Sequence, residues 1–415
     1  MLESVEHGGR LSRYTFIGLD YLAAAEFDAD GSLYDRVRKF VAQHRVEGEG
    51  AELGGAMLAF AYDAARPAAR LPKREPAAPS MPAAYVAVPG TWLIFDHFTH
   101  ALTVWGCDAD PAAAKKRIDG YVARLHAAAA PAARPVRAGG AVSQSIPRES
   151  YLELAARVKR RIFEGDVYQL QLGIRFGAAL EGSAFDLYRS LRRANPSPYM
   201  FYVDTPFGQL LGASPEFLVR LEGRTARIRP LAGTRPRGRT DEDDARIAAE
   251  LLSNEKERAE HVMLVDLGRN DLGSVCGYGS VRVGELLQIE RYSHVMHIVS
   301  DVVGRLRDEC DGLDLFRAGF PAGTVTGTPK VRAMQLIDEL EPVTRGFYAG
   351  SIGRWSFGGD FDSCITLRSI HVQNGQAWWQ ASAGIVADSD PVAEYEEVLH
   401  KTRIARSVLH LSSGA

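Results

Sequence analysis

The sequence predicts an α+β protein, built on antiparallel strands with helices packed around them. Three observations predict it. Tyr168, Leu170, Leu172, Ile174 and Phe176 alternate with Gln169, Gln171, Gly173 and Arg175, the period of two that gives a strand one apolar and one polar face. Just upstream, Tyr151, Leu154, Val158 and Ile162 recur at helical spacing with Arg and Lys between them. Strand-like and helix-like runs then mix without a regular βαβ beat, which argues against a doubly wound parallel sheet.

Taken in order, the elements justify themselves by local chemistry. An alanine- and proline-rich stretch interrupts the first third of the chain around residues 64–84. Residues 127–145, AAAAPAARPVRAGGAVSQS, offer almost nothing to bury and read as a surface linker. They separate an N-terminal region, residues 1–140, from a second domain, residues 146–412. Gly165-Asp166 stops the helix that opens the second domain. Phe201-Tyr202-Val203 and Phe217-Leu218-Val219 read as strands between turns, and residues 243–267, 331–339 and 391–411 as helices. Asp390 suits an N-cap and Pro391 the first helical turn. No repeat recurs at a fixed period, which excludes a solenoid.

Composition narrows the function. The 415 residues are 46% hydrophobic and 24% charged, a globular balance. Lys+Arg 49 against Asp+Glu 52 leaves a net charge of −3, a poor match for a polyanion such as nucleic acid. Cys107, Cys276, Cys310 and Cys364 form no CxxC pair, so neither a disulfide framework nor a zinc ribbon is expected. The start, MLESVE, is charged at once and unlike a signal peptide, and no apolar run approaches the ~18 residues of a membrane span. A soluble, cytoplasmic protein is expected. Neither GxGxxG nor GxxxxGK[ST] occurs, so dinucleotide and ATP chemistry are not signalled.

Two helical segments carry Glu-x-x-Glu: Glu257 with Glu260, and Glu394 with Glu397. A spacing of three sets both carboxylates on one helix face, and Lys401 follows Glu397 on the same face. Should the two helices converge, four carboxylates would repel unless a hard divalent cation, Mg²⁺ first, neutralised them. Paired glutamates on a helix are usually a solvated face, and the spacing alone favours that plainer explanation. Residues 229–238 read as a glycine/proline/arginine loop. Residues 320–330, FPAGTVTGTPK, form a Gly/Thr loop running into a helix, where backbone N–H groups can hold an anion or simply make a turn. His294 and His297 flank Val295-Met296.

These islands, in this order, resemble the chorismate-utilising enzymes, and within them the anthranilate synthase component I branch. The matching segments are PLAGTRPRG at 230–238, AEHVMLVDLGRNDLG at 259–273, HVMHIVS at 294–300 and FPAGTVTGTPKVRAM at 320–334. They continue through RGFYAGSIG at 345–353, the strand from Cys364 to Arg368, QASAGIVADS at 380–389 and EYEEVLHK at 394–401. The likeness is dense over residues 146–411 and thinner before them.

The resemblance implies a sandwich of two large antiparallel sheets enclosed by helices, with chorismate bound by its ring carboxylate to Mg²⁺. It implies that Glu260 and Glu397 hold the ion, supported by Glu257 and Glu394, with Lys401 nearby. Arg368 and Tyr348 would meet the enolpyruvyl side chain. Gly233 and Thr234 would lie near the ring carboxylate, and Thr324 and Gly384 near the substrate. Glu216 would be the acid that protonates the departing C4 hydroxyl. His297 would support pyruvate elimination. Ser382 stands where the family usually has glycine, beside the enolpyruvyl end, where a side chain could alter that elimination.

Two positions select the branch. Family members that add water carry lysine at the site of Gln169, whose amide cannot serve as that base, so ammonia is the expected nucleophile. Members that aminate elsewhere on the ring often carry a nucleophilic lysine at the site of Ala232, which alanine cannot replace. Leu2, Glu3 and Ser4, with Pro198, Tyr199 and Met200, resemble the two segments that bind tryptophan in feedback-inhibited members. The expected activity is therefore the Mg²⁺-dependent aminase step that yields anthranilate and pyruvate. The alternatives are release of 2-amino-2-deoxyisochorismate, aminodeoxychorismate synthesis, or a catalytically silent regulator that binds chorismate or tryptophan. No cysteine sits in a glutaminase-type elbow, so a separate glutamine amidotransferase subunit is the expected ammonia source.

Overall fold

The computed structural model describes residues 1–4, 13–72, 74, 77–129, 131–132, 134–292 and 295–411. His294 and residue 412 lie outside the described residues. The chain packs as two compact units, the first made of residues 1–215, 326–358 and 364–415, the second of 216–325 and 359–363.

Strands of the first unit pair antiparallel throughout. In pairing order they run Ser351–Ser356, Gly55–Phe60, Ala84–Asp96, Tyr14–Phe27, Leu2–Glu3, Tyr199–Thr205, Gly208–Ser214, Ser369–Gln373, Gln376–Ile385, Gln169–Glu181 and Arg137–Gln144. A ribbon this long curls or splits into layers. It does so here: Met57, Ala59 and Tyr85 from one end share a core with Phe201, Val203 and Leu210 from the middle. A larger core lies beneath the helices Arg148–Phe163, Ala184–Ala194, Lys330–Leu340 and Pro391–Val408, with Leu170, Leu172, Ile174 and Phe176 at its centre. The α+β class and its antiparallel strands are thus present.

The compact units cut the chain elsewhere than the stretch between residues 140 and 146. Part of the alanine-rich stretch read as a linker is the strand Arg137–Gln144, which pairs along Gln169–Glu181 across a bulge between Gly139 and Ser143. Backbone pairing needs no apolar side chains, which is why composition hid this strand.

In the second unit, Phe217–Glu222, Thr225–Ile228, Val302–Arg305 and Arg282–Val283 pair antiparallel. A second sheet joins Leu231–Pro236, Val295–Val299 and Gln288–Arg291. Residues 231–236 were expected as loop. They form an edge strand, where proline costs no ladder bond, and the glycine is absorbed by a bulge at Gly233, φ +65°. The helix expected over 243–267 is two helices, Asp241–Ser253 and Glu255–Gly273, divided at Asn254. Asn254 adopts extended ψ and its side chain accepts the Glu257 N–H at 3.0 Å, an N-cap that starts the second helix afresh. Asp390 caps Pro391–Val408 as the sequence predicts, accepting the Val392 N–H at 3.2 Å. Among the described residues no helix is long and apolar enough to cross a membrane.

Candidate functional site

The predicted site residues divide between the two units, and each group is built by its own local structure. In the second unit, Glu216 follows Pro215 at the entry to Phe217–Glu222 and is buried. Thr324, in the turn Gly323–Val325, donates to its Oε1 at 3.3 Å. Loss of hydration outweighs that bond and pushes the carboxyl up to about 8, so Glu216 is protonated at neutral pH. A carboxylic acid held neutral there can deliver a proton.

His297, in Val295–Val299, is buried opposite Thr234. Its Nδ1 lies 3.1 Å from the Gly233 carbonyl and 3.0 Å from Thr234 Oγ1. A carbonyl only accepts, so Nδ1 carries a proton, and in the neutral ring the lone pair is then on Nε2. Gly233 is confined: a Cβ there would lie 3.1 Å from Glu257 Oε2 at a left-handed φ. The structure thus brings Gly233, Thr234, Glu257 and His297 together.

In the first unit the Gln169–Glu181 strand and its partner Gln376–Ile385 carry a buried polar face. Gln169, Gln171 and Gly173 project toward Gly384, Ser382 and Gln380 across the ladder. A Cβ at position 384 would sit 2.7 Å from Gln169 Nε2 and 2.8 Å from Gln171 Nε2, so only glycine leaves both amides in place. Ser382 Oγ donates to Gln171 Oε1 at 2.7 Å and meets Tyr348 OH at 2.8 Å. Glu341 and Arg345 lie beside this face as an ion pair of 2.6 Å, with side chains 2% and 1% exposed. Glu341 Oε1 accepts the Gly173 N–H at 2.8 Å and Arg345 Nη2 donates to the Gln171 carbonyl at 2.9 Å. Burial pushes the Tyr348 phenol up. Arg368 has φ +48°, strained backbone for a non-glycine residue, and its carbonyl accepts the Ala213 N–H at 3.2 Å. Gln171, Glu341 and Arg345 were missed in the sequence reading. Gln171 was visible as the next residue on the polar face of the strand, whereas nothing local marks Glu341 and Arg345.

The glutamate pairs sit one in each unit, both on a single helical face. Glu257 accepts Arg235 Nη1 at 2.9 Å, and Glu397 holds Lys401 Nζ at 2.7 Å. Lys401 also donates to the Ser382 carbonyl at 2.9 Å, which ties its helix to the Gly384 strand. Glu394 is half-buried and Glu260 lies 3.9 Å from Lys256. Among the described residues no three His, Cys, Asp or Glu side chains converge on one point. The donor chemistry of either pair, carboxylate oxygens alone, suits a hard divalent ion retaining waters, while either pair by itself is too few.

The two segments expected to bind tryptophan, residues 2–4 and 198–200, lie side by side. Leu2 pairs with Phe201 and Glu3 with Met200 across an antiparallel bridge beside Pro198 and Tyr199. Glu3 is buried, accepting from Tyr188 OH and from Arg192 Nε at 2.9 Å. Ser4 Oγ is buried with no hydrogen-bond partner among the described residues.

Comparison with known proteins matches the chorismate binding enzyme family over residues 6–407. Anthranilate synthase component 1 of Thermus thermophilus is 42% identical, covering 100% of this chain and 92% of that protein. Aminodeoxychorismate synthase component 1 of Bacillus subtilis is 49% identical over 66% of this chain and 58% of its own length. The crystal structure of anthranilate synthase component I from Streptococcus pneumoniae superposes with TM-score 0.85 at 32% identity, covering 96% of this chain and 92% of that one.

Proposed function

The chain belongs to the chorismate-binding enzymes, and on that premise we propose that it is the aminating subunit of an anthranilate synthase. It would convert chorismate and ammonia to anthranilate, pyruvate and water in aromatic amino acid biosynthesis. The observation that carries this reading is Gln169. It presents an amide, which cannot titrate, over Gly384, where members that activate water are expected to carry an amine.

The chain's own residues supply the rest. Ammonia adds its nitrogen to ring C2 as the C4 hydroxyl departs. Glu216, protonated at neutral pH, gives that hydroxyl a proton so that it leaves as water. The C2 proton is then lost to a base as the ring C3–O bond breaks, and the departing enolpyruvyl methylene takes up a proton to leave as pyruvate. His297, held through Nδ1 by the Gly233 carbonyl, would serve as that base through Nε2 in its neutral form. Gly233, Thr234, Thr324, Tyr348, Arg368 and Gly384 would bind and orient the substrate, with Ser382 beside its enolpyruvyl end. Mg²⁺ would be held chiefly by Glu260 and Glu397, with Glu257 and Glu394 in support. When bound it supplies positive charge against the ring carboxylate.

Ammonia is proposed to come from a separate glutamine amidotransferase subunit, and tryptophan to act as an effector at Leu2–Ser4 and Pro198–Met200. We place the reaction in the cytoplasm. Ala232, half-buried in its strand, speaks against aminodeoxychorismate synthesis, because it offers no amine for a covalent intermediate.

The test is product analysis with chorismate, Mg²⁺ and either ammonium or glutamine. Anthranilate fluorescence from ammonium, and none from glutamine until a glutaminase is added, is expected. A product that retains the enolpyruvyl mass would replace this reading with an aminodeoxyisochorismate synthase. Chorismate binding without turnover would make the chain a regulator.

A further inference from the structure

Gln171 is the second amide on the buried polar face that carries Gln169. Its backbone is fixed on both sides: Arg345 Nη2 donates to its carbonyl at 2.9 Å, and Glu341 accepts the Gly173 N–H at 2.8 Å. Its side chain is 7% exposed. The amide oxygen is committed, since Ser382 donates to Oε1 at 2.7 Å. That commitment has two results. The hydroxyl has one proton, so at the 2.8 Å contact Ser382 Oγ accepts from Tyr348 OH. The Gln171 nitrogen turns the other way, over Gly384, beside the nitrogen of Gln169. Neither amide nitrogen has a hydrogen-bond partner among the described residues. Two NH₂ groups aimed over one side-chain-free position can hold an anionic oxygen between them.

We propose that Gln171 is a substrate-binding residue, that its amide and that of Gln169 form a donor pair for a carboxylate of the bound substrate, and that Ser382 is the positioning residue that aims it. This rests on the reading that chorismate is the substrate. Lys401, donating to the Ser382 carbonyl, holds the hub from the opposite side. Ser382 thereby acts through a neighbour, and its own hydroxyl is spent inside the network.

The experiment measures chorismate KM and kcat with ammonium for the full chain and for Gln171→Leu, Gln171→Asn, Ser382→Ala, Ser382→Thr and the Leu/Ala double variant. Gln171→Leu and Ser382→Ala are expected to raise KM about tenfold while kcat changes little. Ser382→Thr, which keeps the hydroxyl, recovers most of the loss. The double variant is no worse than Gln171→Leu, because both remove one interaction. An unchanged KM in Gln171→Leu, or losses that multiply, overturns the proposal. Calorimetric titration of chorismate into the same variants reads the donor pair without turnover. It decides this inference even if the parent chain makes no anthranilate, an outcome that would overturn the aminase reading alone. Gln171→Asn, which keeps an amide but withdraws it by one methylene, covers the case in which leucine disturbs the fold.

Discussion

Glu341 and Arg345 form an ion pair of 2.6 Å, four residues apart in sequence and both sealed from solvent, on which the backbone of the candidate site rests. Arg345 also lies over the rings of Tyr62 and Tyr348, at 4.8 and 5.7 Å. Such a pair is a weak source of net stability, yet leaving one member alone strands a charge in a dry interior. Arg345→Leu is expected to cost about 3–5 kcal/mol, read as a lower urea midpoint. Replacing both residues by apolar side chains should recover stability without recovering chorismate affinity, since Gln171 and Gly173 lose their anchors.

Glu216 predicts two opposite responses to one substitution. Its carboxyl is pushed up to about 8, so the acid form persists through neutral pH and kcat should fall as pH rises through about 8. Glu216→Gln should lower kcat by roughly 10²–10⁴. For stability, the folded state binds this proton more tightly than the unfolded chain, whose carboxyl titrates near 4.5. Folding is therefore favoured below that value, and stability is lost as pH rises from there to about 8. Glu216→Gln removes the loss, so its melting temperature should exceed the parent's at pH 9 and match it at pH 4. Equal melting at both pH values would contradict the buried acid.

Removal of divalent metal tests the glutamate pairs. Chelation should abolish anthranilate formation, and Mg²⁺ should restore it. Glu260→Ala and Glu397→Ala should each cut chorismate affinity at saturating Mg²⁺ by about 10–100-fold, with smaller losses for Glu257 and Glu394. Calorimetry of chorismate with and without Mg²⁺ checks this independently of turnover. Metal-independent affinity would return these residues to the solvated-face explanation.

Ser4 is a buried hydroxyl without a partner among the described residues, a group that costs stability unless something fills the need. Tryptophan is expected to inhibit, and Ser4→Ala to raise its inhibition constant about tenfold while slightly stabilising the free protein. Inhibition curves and melting temperatures with and without tryptophan measure both. Unaltered inhibition would remove Ser4 from the effector site.

Where physics is local, the sequence was readable. The alternation around Gln169 fixed a strand and the face its amide uses, and Asp390-Pro391 fixed a helix start. Asn254 was readable in principle: it is a good N-cap, but a continuous apolar pattern on either side masked the break. The strand at residues 231–236 was hidden because glycine and proline favour turns, while an edge position and a bulge tolerate both. Arg137–Gln144 was hidden because backbone pairing carries no compositional mark. The Glu341–Arg345 support lies about 170 residues from the strand it anchors, and no local pattern can encode that distance. The acid role proposed for Glu216 entered through resemblance, and burial keeps its carboxyl protonated at neutral pH.

The first unit is made of three pieces of chain, whereas the second is almost one uninterrupted stretch. On a ribosome this sets a schedule. Gln169–Glu181 emerges long before Gln376–Ile385, the strand that completes its ladder, and must wait while some two hundred residues are added. During that interval an apolar edge is open to self-association, and the inserted unit has time to form first. Ending synthesis just before residue 376 should then yield insoluble protein.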